Sequence, residues 1–227
     1  VEEVNSEYEL GGDETSMLQL SGGGNLDDKF ERDGRLLREQ LQENPKDTMT
    51  VFYLARTLED LGQFDEAITY YTKRSTMGGW FEEVWYALYK IAVSKAKRGD
   101  DILECTSDFL AAYEYLPQRS EPLYWLARQF RLKKNHHLCS KYGKMALEIP
   151  YPTDLTLFVE RDIYDWMLAD ELSICLYWTG DFEESLMLGE QALAAGRHLL
   201  LISEEDKKRI EGNVQWSRDK MNENISV

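Results

Sequence analysis

From Leu26 onward, apolar residues recur three and four positions apart, the spacing that places them on one face of an α-helix. In the segment 54–71 two such stretches flank Gly62, a residue that permits a tight turn between helices. Runs of β-branched residues with a two-residue period are absent, and most of the 5 Pro lie between helical stretches. The pattern predicts an all-α protein in which helices follow one another through short turns.

The segment 54–71 resembles one tetratricopeptide repeat (TPR), a helix–turn–helix unit of about 34 residues. Leu54 packs its first helix, Gly62 ends that helix, and the small side chain of Ala67 lets the second helix approach closely. Three further units align with this one. Their first helices repeat the leucine and their second helices repeat the small residue, at Leu88, Leu126 and Leu172 and at Cys105, Cys139 and Ser185.

We therefore expect an all-α, TPR-like right-handed superhelix of about four helical hairpins plus a C-terminal capping helix. The chain divides into an acidic, glycine-containing and loosely ordered lead-in (residues 1–25), a repeat domain (26–222) and a tail (223–227). The longest insert, around Tyr151–Arg161, is predicted to form the loop that enters the fourth unit.

The sequence also predicts one helix at each end of the repeat domain. An incomplete leading helix is expected around residues 27–43. The capping helix is predicted to begin at Ser203, because Ser203-Glu204-Glu205-Asp206 has the form of a capping box, and to run to about Met221. Its polar outer side would end the stack, as terminal repeats require.

The formal net charge of −16 argues against a general nucleic-acid binder and against binding to anionic membranes, since both need a cationic field. Half of this charge lies in residues 1–34, which hold ten acidic and two basic side chains. No apolar run approaches the roughly 18 residues of a membrane span, and no signal-peptide pattern is seen. The expected location is therefore cytoplasmic.

The candidate cofactor and metal ligands are sparse. Cys105, Cys139 and Cys175 lack CxxC spacing and are predicted to be reduced, buried thiols. His136 and His137 are adjacent, so on a helix their side chains point about 100° apart and chelate poorly. We expect no cofactor, no metal site and no catalytic residue.

Several strings go beyond the repeat consensus, notably KR...GGW.EE at 73–83, RSEP at 119–122, EIPYP at 148–152 and LFVE at 157–160. Together they resemble the helical-repeat region that follows the catalytic domain in some family 2 glycosyltransferases of bacteria and large viruses. The resemblance runs from about Lys29 to Trp216. The family's catalytic part would bring a Rossmann-like nucleotide-sugar domain and an acidic DxD motif. Neither is found in this sequence, so no catalytic residue is carried over.

The resemblance implies a non-catalytic helical-repeat scaffold or binding module, the accessory region of a family 2 glycosyltransferase that positions a partner or acceptor. Two alternatives stay open. The chain is itself a glycosyltransferase that transfers sugar from a nucleotide sugar, or it is a free-standing cytosolic adaptor.

The candidate binding residues come from the inner side of the repeats. In a TPR the residues two before and two after the repeat leucine face the ligand, and this places three aromatic and three basic side chains in a groove. These are Phe52, Tyr86 and Tyr124, and Arg56, Lys90 and Arg128. Asp165 and Trp166 extend the groove as a polar–aromatic cluster where a loop meets a helix.

The expected partner of this groove is an acidic or phosphate-bearing protein or peptide. It is either a catalytic glycosyltransferase domain or an acidic segment, such as residues 2–14 of the chain itself. The alternative interpretation is that the three cations merely neutralise neighbouring acids such as Glu59 and Asp60.

Overall fold

The computed structural model describes residues 26–199 and 202–225, so the predicted lead-in 1–25 lies outside the described residues. The described residues form helices and contain no strand. A single π-helical turn, Ile163–Met167, leads directly into the eighth α-helix. The α-helices are α1 Leu26–Glu43, α2 Thr48–Asp60, α3 Phe64–Ser75, α4 Phe81–Arg98, α5 Ile102–Tyr115, α6 Glu121–Leu132, α7 His136–Leu147, α8 Leu168–Thr179, α9 Phe182–Leu199 and α10 Glu204–Ile225.

Each helix packs on the next one in chain order, which gives the hairpins α2/α3, α4/α5, α6/α7 and α8/α9. The leading helix α1 packs on α2, and α10 packs on α9. The first helices of the hairpins also contact one another from unit to unit, so α2, α4, α6 and α8 form one side of the stack, which we call the inner face. The predicted four hairpins with a C-terminal capping helix are confirmed.

The turns inside the hairpins share one backbone conformation. Gly62, Gly99 and Gly180 have φ values of 69°, 94° and 90°, the left-handed region that glycine enters without a steric penalty. The hairpin α6/α7 has Lys134 at this place, with φ 58°. Because each turn is only a few residues long, the two helices of a hairpin lie side by side and antiparallel.

The repeat positions form the core. Leu54, Leu126 and Leu172 are fully buried, and burial of a leucine side chain stabilises a fold by about 1.5–3 kcal/mol. Leu88 is half-buried and packs against the hydrophobic cluster that contains Leu54 and Leu126. The predicted small residues are buried as well, and they are Ala67, Cys105, Cys139 and Ser185.

The last helix begins as predicted. The Ser203 hydroxyl accepts a hydrogen bond from the Asp206 N–H at 3.0 Å, which caps the first turn of α10. The helix reaches Ile225 rather than Met221, so most of the predicted tail 223–227 is helical. Its buried residues Ile210 and Val214 pack on the fourth hairpin and close the end of the stack.

The cysteines depart from the prediction. All three are buried, but Cys139 and Cys175 form a disulfide between α7 and α8, with Cα atoms 6.1 Å apart, while Cys105 is a free thiol. The prediction of reduced thiols is wrong for this pair, because α7 packs on α8 and brings Cys139 of the third unit against Cys175 in the first helix of the fourth unit. None of the helices in the described part of the chain is long and apolar enough to cross a membrane.

Candidate binding face

The insert, residues 151–161, crosses the inner face over α2, α4 and the start of α6. It leaves α7 at Leu147 and joins the helical turns that lead into α8, as the sequence predicted for the loop entering the fourth unit. The insert itself is not helical before Arg161, so its backbone groups need partners from elsewhere in the chain.

Side chains of α4 and of the α6 start supply those partners. The Glu82 carboxylate accepts hydrogen bonds from the N–H groups of Thr156 at 2.9 Å and Leu157 at 2.8 Å. The Arg119 guanidinium donates to the carbonyl oxygens of Leu157 and Phe158, both at 3.0 Å. Glu82 and Arg119 are buried. The inner face therefore holds this segment by its main chain, in the way that proteins hold an extended peptide.

The following residues complete the attachment. The Tyr89 hydroxyl donates to the Glu160 carboxylate at 2.7 Å, and the Glu160 N–H donates to Glu121 at 3.3 Å. Burial, reinforced by the Glu160 carboxylate, raises the pKa of Tyr89 well above its ordinary value, so its hydroxyl keeps the proton that it donates. Arg119 and Glu121 are themselves a fully buried ion pair at 2.6 Å.

The insert is a permanent part of the fold. Removing it would leave the buried charges of Glu82, Arg119 and Glu121 without several of their hydrogen bonds. An unpaired or undersatisfied buried charge costs a protein several kcal/mol. The groove that was predicted to bind a partner is therefore filled along this stretch by the chain itself.

Phe158 is a large side chain that the insert places on the surface of the inner face. Its ring stacks on Phe52, with centroids 6.4 Å apart, and lies 5.2 Å from Tyr86. The Arg56 guanidinium lies 4.0 Å above the same ring, a cation–π contact. Phe158 has φ 44°, which is strained for a bulky side chain, and it remains 40% exposed.

The three predicted aromatic residues do lie along the inner helices, but they are buried. Phe52 and Tyr86 support the Phe158 ring from below. Tyr124 packs in a cluster with Leu123, Ile163 and other residues of the third and fourth units. These three side chains therefore do not form the flat contact area that was predicted for them.

The three predicted cations separate into two groups. Lys90 is buried and pairs with Glu59 at 3.1 Å, and Arg128 lies 3.7 Å from Glu171, so both neutralise carboxylates as the alternative interpretation held. Arg56 is different. Among the residues that the structure describes, no carboxylate lies within ion-pair distance of its guanidinium, which leaves its N–H groups available.

The predicted cluster at the loop–helix junction is not part of this surface. Asp165 pairs with Arg161 at 3.0 Å, and Trp166 is buried in the core of the fourth unit. Their neighbour Tyr164 is the member of the π-helical turn that serves the inner face, since its hydroxyl donates to Glu121 at 2.7 Å.

The residues that hold the insert, and the exposed Tyr53 and Phe158, were not among the predicted site residues. A signal for the first group was present. Glu82, Arg119 and Glu160 belong to the strings GGW.EE, RSEP and LFVE, which exceed what the repeat consensus requires. Phe158 lies in the last of these strings, and Tyr53 lies in FYLAR at 52–56, which belongs to the same resemblance.

One group of potential metal ligands lies together in the described part of the chain, formed by Cys139, Cys175 and Glu171. The two sulfurs are bonded to each other, and the Glu171 carboxylate pairs with Arg131 and Arg128. Two guanidinium groups beside the only carboxylate of this group disfavour a cation, so the cluster is a covalent and ionic link between the third and fourth units.

No protein-family model and no curated protein matches the sequence. Solved structures do match. A thermophilic TPR protein from Thermus thermophilus is 16% identical, with a TM-score of 0.53 and coverage of 83% of this chain and 92% of that chain. YrrB, described as a TPR protein with an unusual peptide-binding site, is 15% identical, with a TM-score of 0.52 and coverage of 81% and 89%.

The chain has a TPR-like fold. BtubC (BKLC) from P. vanneervenii is similar as well, at 14% identity and a TM-score of 0.64, with coverage of 86% of this chain and 83% of that chain. At these identities the likeness establishes the TPR-like superhelix alone. It carries no information on a glycosyltransferase.

Proposed function

We propose that the chain is a non-catalytic protein-binding module that holds a partner segment against its inner face. One observation carries this proposal. The inner face already holds a non-helical segment of polypeptide, the insert, by hydrogen bonds to four backbone groups of residues 156–158 and by an aromatic stack under Phe158. Repeat proteins use this side for binding because each unit presents the same positions along it.

The surface left for a partner lies beside the insert. Tyr53 is 45% exposed, Phe158 is 40% exposed, and Arg56, three positions after Tyr53 on α2, lies over the Phe158 ring with unused N–H groups. Tyrosine and arginine are the residue types enriched among binding hot spots, and a planar guanidinium held on an aromatic ring loses little freedom when it binds a carboxylate. The favoured partner is therefore a protein segment that carries an acidic side chain beside an apolar one.

Photo-crosslinking in the source cells tests this proposal with two matched positions. Tyr53 and Tyr115 are 45% and 44% exposed, but Tyr53 is on an inner helix and Tyr115 is on α5, the second helix of its hairpin. We expect Tyr53→p-benzoylphenylalanine to give an adduct with a partner protein and Tyr115→p-benzoylphenylalanine to give none. Arg56→Gln in the same chain should weaken the Tyr53 adduct.

Two results would contradict the proposal. Equal labelling from both positions would mean that the inner face has no special role. An adduct at Tyr53 that is unaffected by Arg56→Gln would show a contact that does not use this surface chemistry.

A second candidate function is the accessory region of a family 2 glycosyltransferase. The strings that carry this resemblance are the ones whose residues hold the insert in place, notably Glu82, Arg119 and Glu160. A nucleotide-sugar domain in the same reading frame upstream of Val1 would support it. The chain alone should release no sugar from nucleotide sugars, and turnover that persists through repurification would favour the glycosyltransferase alternative.

We also propose a cytoplasmic location, which requires that Cys139 and Cys175 be reduced in the cell. Disulfides persist mainly in oxidising compartments, whereas the cytosol keeps thiols reduced. Alkylation of cell samples that are denatured without added reductant distinguishes a cytoplasmic location from an oxidising compartment. Cys139 and Cys175 should be labelled if the chain is cytoplasmic, and they should stay unlabelled if they form the disulfide.

A further inference from the structure

The first inner helix carries an exposed stripe at the open edge of the inner face. Met49, Tyr53 and Arg56 stand three and four positions apart on α2, and the Phe158 ring lies against Arg56. Met49 is 59% exposed. In the described part of the chain no first helix precedes α2, because α1 packs on it from the other layer. This edge therefore presents apolar surface together with Arg56, whose guanidinium has no described carboxylate within ion-pair distance.

The sequence contains a segment of complementary chemistry. Residues 2–14 carry six carboxylates, and residues 1–25 contain no Lys, Arg or His. Tyr8 and Leu10 stand among these acids and supply apolar side chains. A segment of this composition can place a carboxylate on a guanidinium and apolar groups on the neighbouring rings.

The connection is long enough. A Cβ added to Gly34 would lie 3.5 Å from the Thr57 side chain, so residue 34 of α1 is level with the residue that follows Arg56. The eight residues from there back to Leu26 span about 12 Å of helix. Residues 15–25 can extend over roughly 36 Å, which is ample for residues 2–14 to return along α1 to Arg56.

The neighbouring carboxylates leave room for this contact. Glu59 is neutralised by Lys90 and Lys97, and Glu160 accepts the Tyr89 hydroxyl. Arg56 is thus the point of the edge at which an added carboxylate finds an available partner.

We propose that the acidic segment 2–14 binds to the inner face of its own chain, with a carboxylate on Arg56 and apolar side chains on Tyr53 and Phe158. The proposal rests on the proposed function, because it makes the segment a built-in competitor of the partner. Removing the negative charge of the segment should then expose the binding surface, and a higher salt concentration should weaken the binding of the segment.

The test uses the full chain with Tyr8→p-benzoylphenylalanine. Irradiation should give a cross-link within one chain, mapped by mass spectrometry to peptides that contain Tyr53–Arg56 or Leu157–Phe158. Arg56→Gln should lower the yield roughly threefold, as expected for the loss of one charge contact. Arg218→Gln is the matched control, since Arg218 pairs with Glu190 at the other end of the stack and its loss should leave the yield unchanged.

Each other outcome overturns the proposal. Cross-links that map to other surfaces, or equal yields from Arg56→Gln and Arg218→Gln in chains with unchanged circular dichroism, exclude this site. Products of twice the chain mass assign the segment to a second copy. None of these results touches the proposed function, because the partner adduct at residue 53 is measured separately. Replacing the six acids by their amides should increase that adduct, and a decrease would show that the segment recruits the partner instead.

Discussion

Lys134 occupies, in the hairpin α6/α7, the turn position that glycine occupies in the other three hairpins. Its φ of 58° lies in the left-handed region, where a side chain crowds the backbone and costs about 1 kcal/mol. The side chain is exposed, so it has little packing to lose.

We therefore predict that Lys134→Gly stabilises the protein by about 0.5–1 kcal/mol, measured by urea unfolding. Lys133→Gly is the control, because Lys133 is equally exposed but has an ordinary φ of −86° and should lose stability. A loss from both substitutions would show that the strain is not present in solution.

Glu59 is a buried carboxylate at the centre of a charged cluster on the inner face. It pairs with Lys90 and Lys97 and accepts the Tyr71 hydroxyl at 2.8 Å. Burial by itself would raise the pKa of Glu59, but the two ammonium groups and the hydroxyl outweigh it and hold the pKa below 4.5. The ionised form is therefore part of the folded state.

Because its folded pKa is lowered, Glu59 contributes stability above pH 4.5 that is lost as the pH falls through the folded value. Glu59→Gln should cost about 3 kcal/mol at pH 7, since it leaves Lys90 buried without its acid. The difference in the free energy of unfolding between this variant and the wild type should become smaller below pH 4.5. Glu66→Gln, which breaks the exposed pair with Arg38, should change stability by less than about 0.5 kcal/mol at any pH. A difference in unfolding free energy between Glu59→Gln and the wild type that does not change with pH would contradict this role of Glu59.

At the scale of elements, the contact between α9 and α10 depends on a missing side chain. A Cβ on Gly189 would lie 2.7 Å from a methyl group of Val214, a distance at which one of the two helices must move. Gly212, on α10, has no atom within 4 Å of the corresponding position.

Gly189→Ala should therefore destabilise the protein by about 1–3 kcal/mol through overpacking. Gly212→Ala should stabilise it by about 0.5–1 kcal/mol, since alanine favours a helix over glycine. Thermal unfolding of the two variants provides the comparison. Equal effects would mean that α10 does not pack on α9 as the structure places it.

For the whole molecule, the repeat pattern was enough to predict the architecture. A leucine and a small residue recur in each unit, and a turn glycine recurs in three of the four. These local rules fix which helices pair. The insert could not be placed in this way. Glu82 and Thr156 are 74 residues apart, and nothing in the period of the repeat says that the insert lies on the inner face.

The same limit explains the errors at the candidate site. Phe52 and Tyr86 were placed correctly on the inner helices, but their exposure depended on residues 151–161. The disulfide was missed because Cys139 and Cys175 belong to different units and meet only through the packing of α7 on α8. Long-range contacts of this kind leave no periodic trace in a sequence.

The disulfide closes a loop of 36 residues, for which chain-entropy arguments give a stabilisation of about 3–4 kcal/mol. A reducing agent should therefore lower the unfolding temperature of the wild type and leave that of the Cys139→Ala, Cys175→Ala protein unchanged. Cys105 should not react with thiol reagents before unfolding, because burial raises its pKa to about 11. A reductant effect in the double variant would place the sensitivity elsewhere.

The attachment of the insert changes how the stack opens and forms. Repeat units that contact only their neighbours can open one at a time from an end. Here hydrogen bonds join the insert to α4 across 71 and 75 positions. The insert also reaches α6 through Glu121 and α2 through the Phe158–Phe52 stack, so one segment ties the first three hairpins together. These hairpins should therefore exchange their amide hydrogens as a single cooperative block. During synthesis none of the three can reach its final state until Glu160 has emerged from the ribosome.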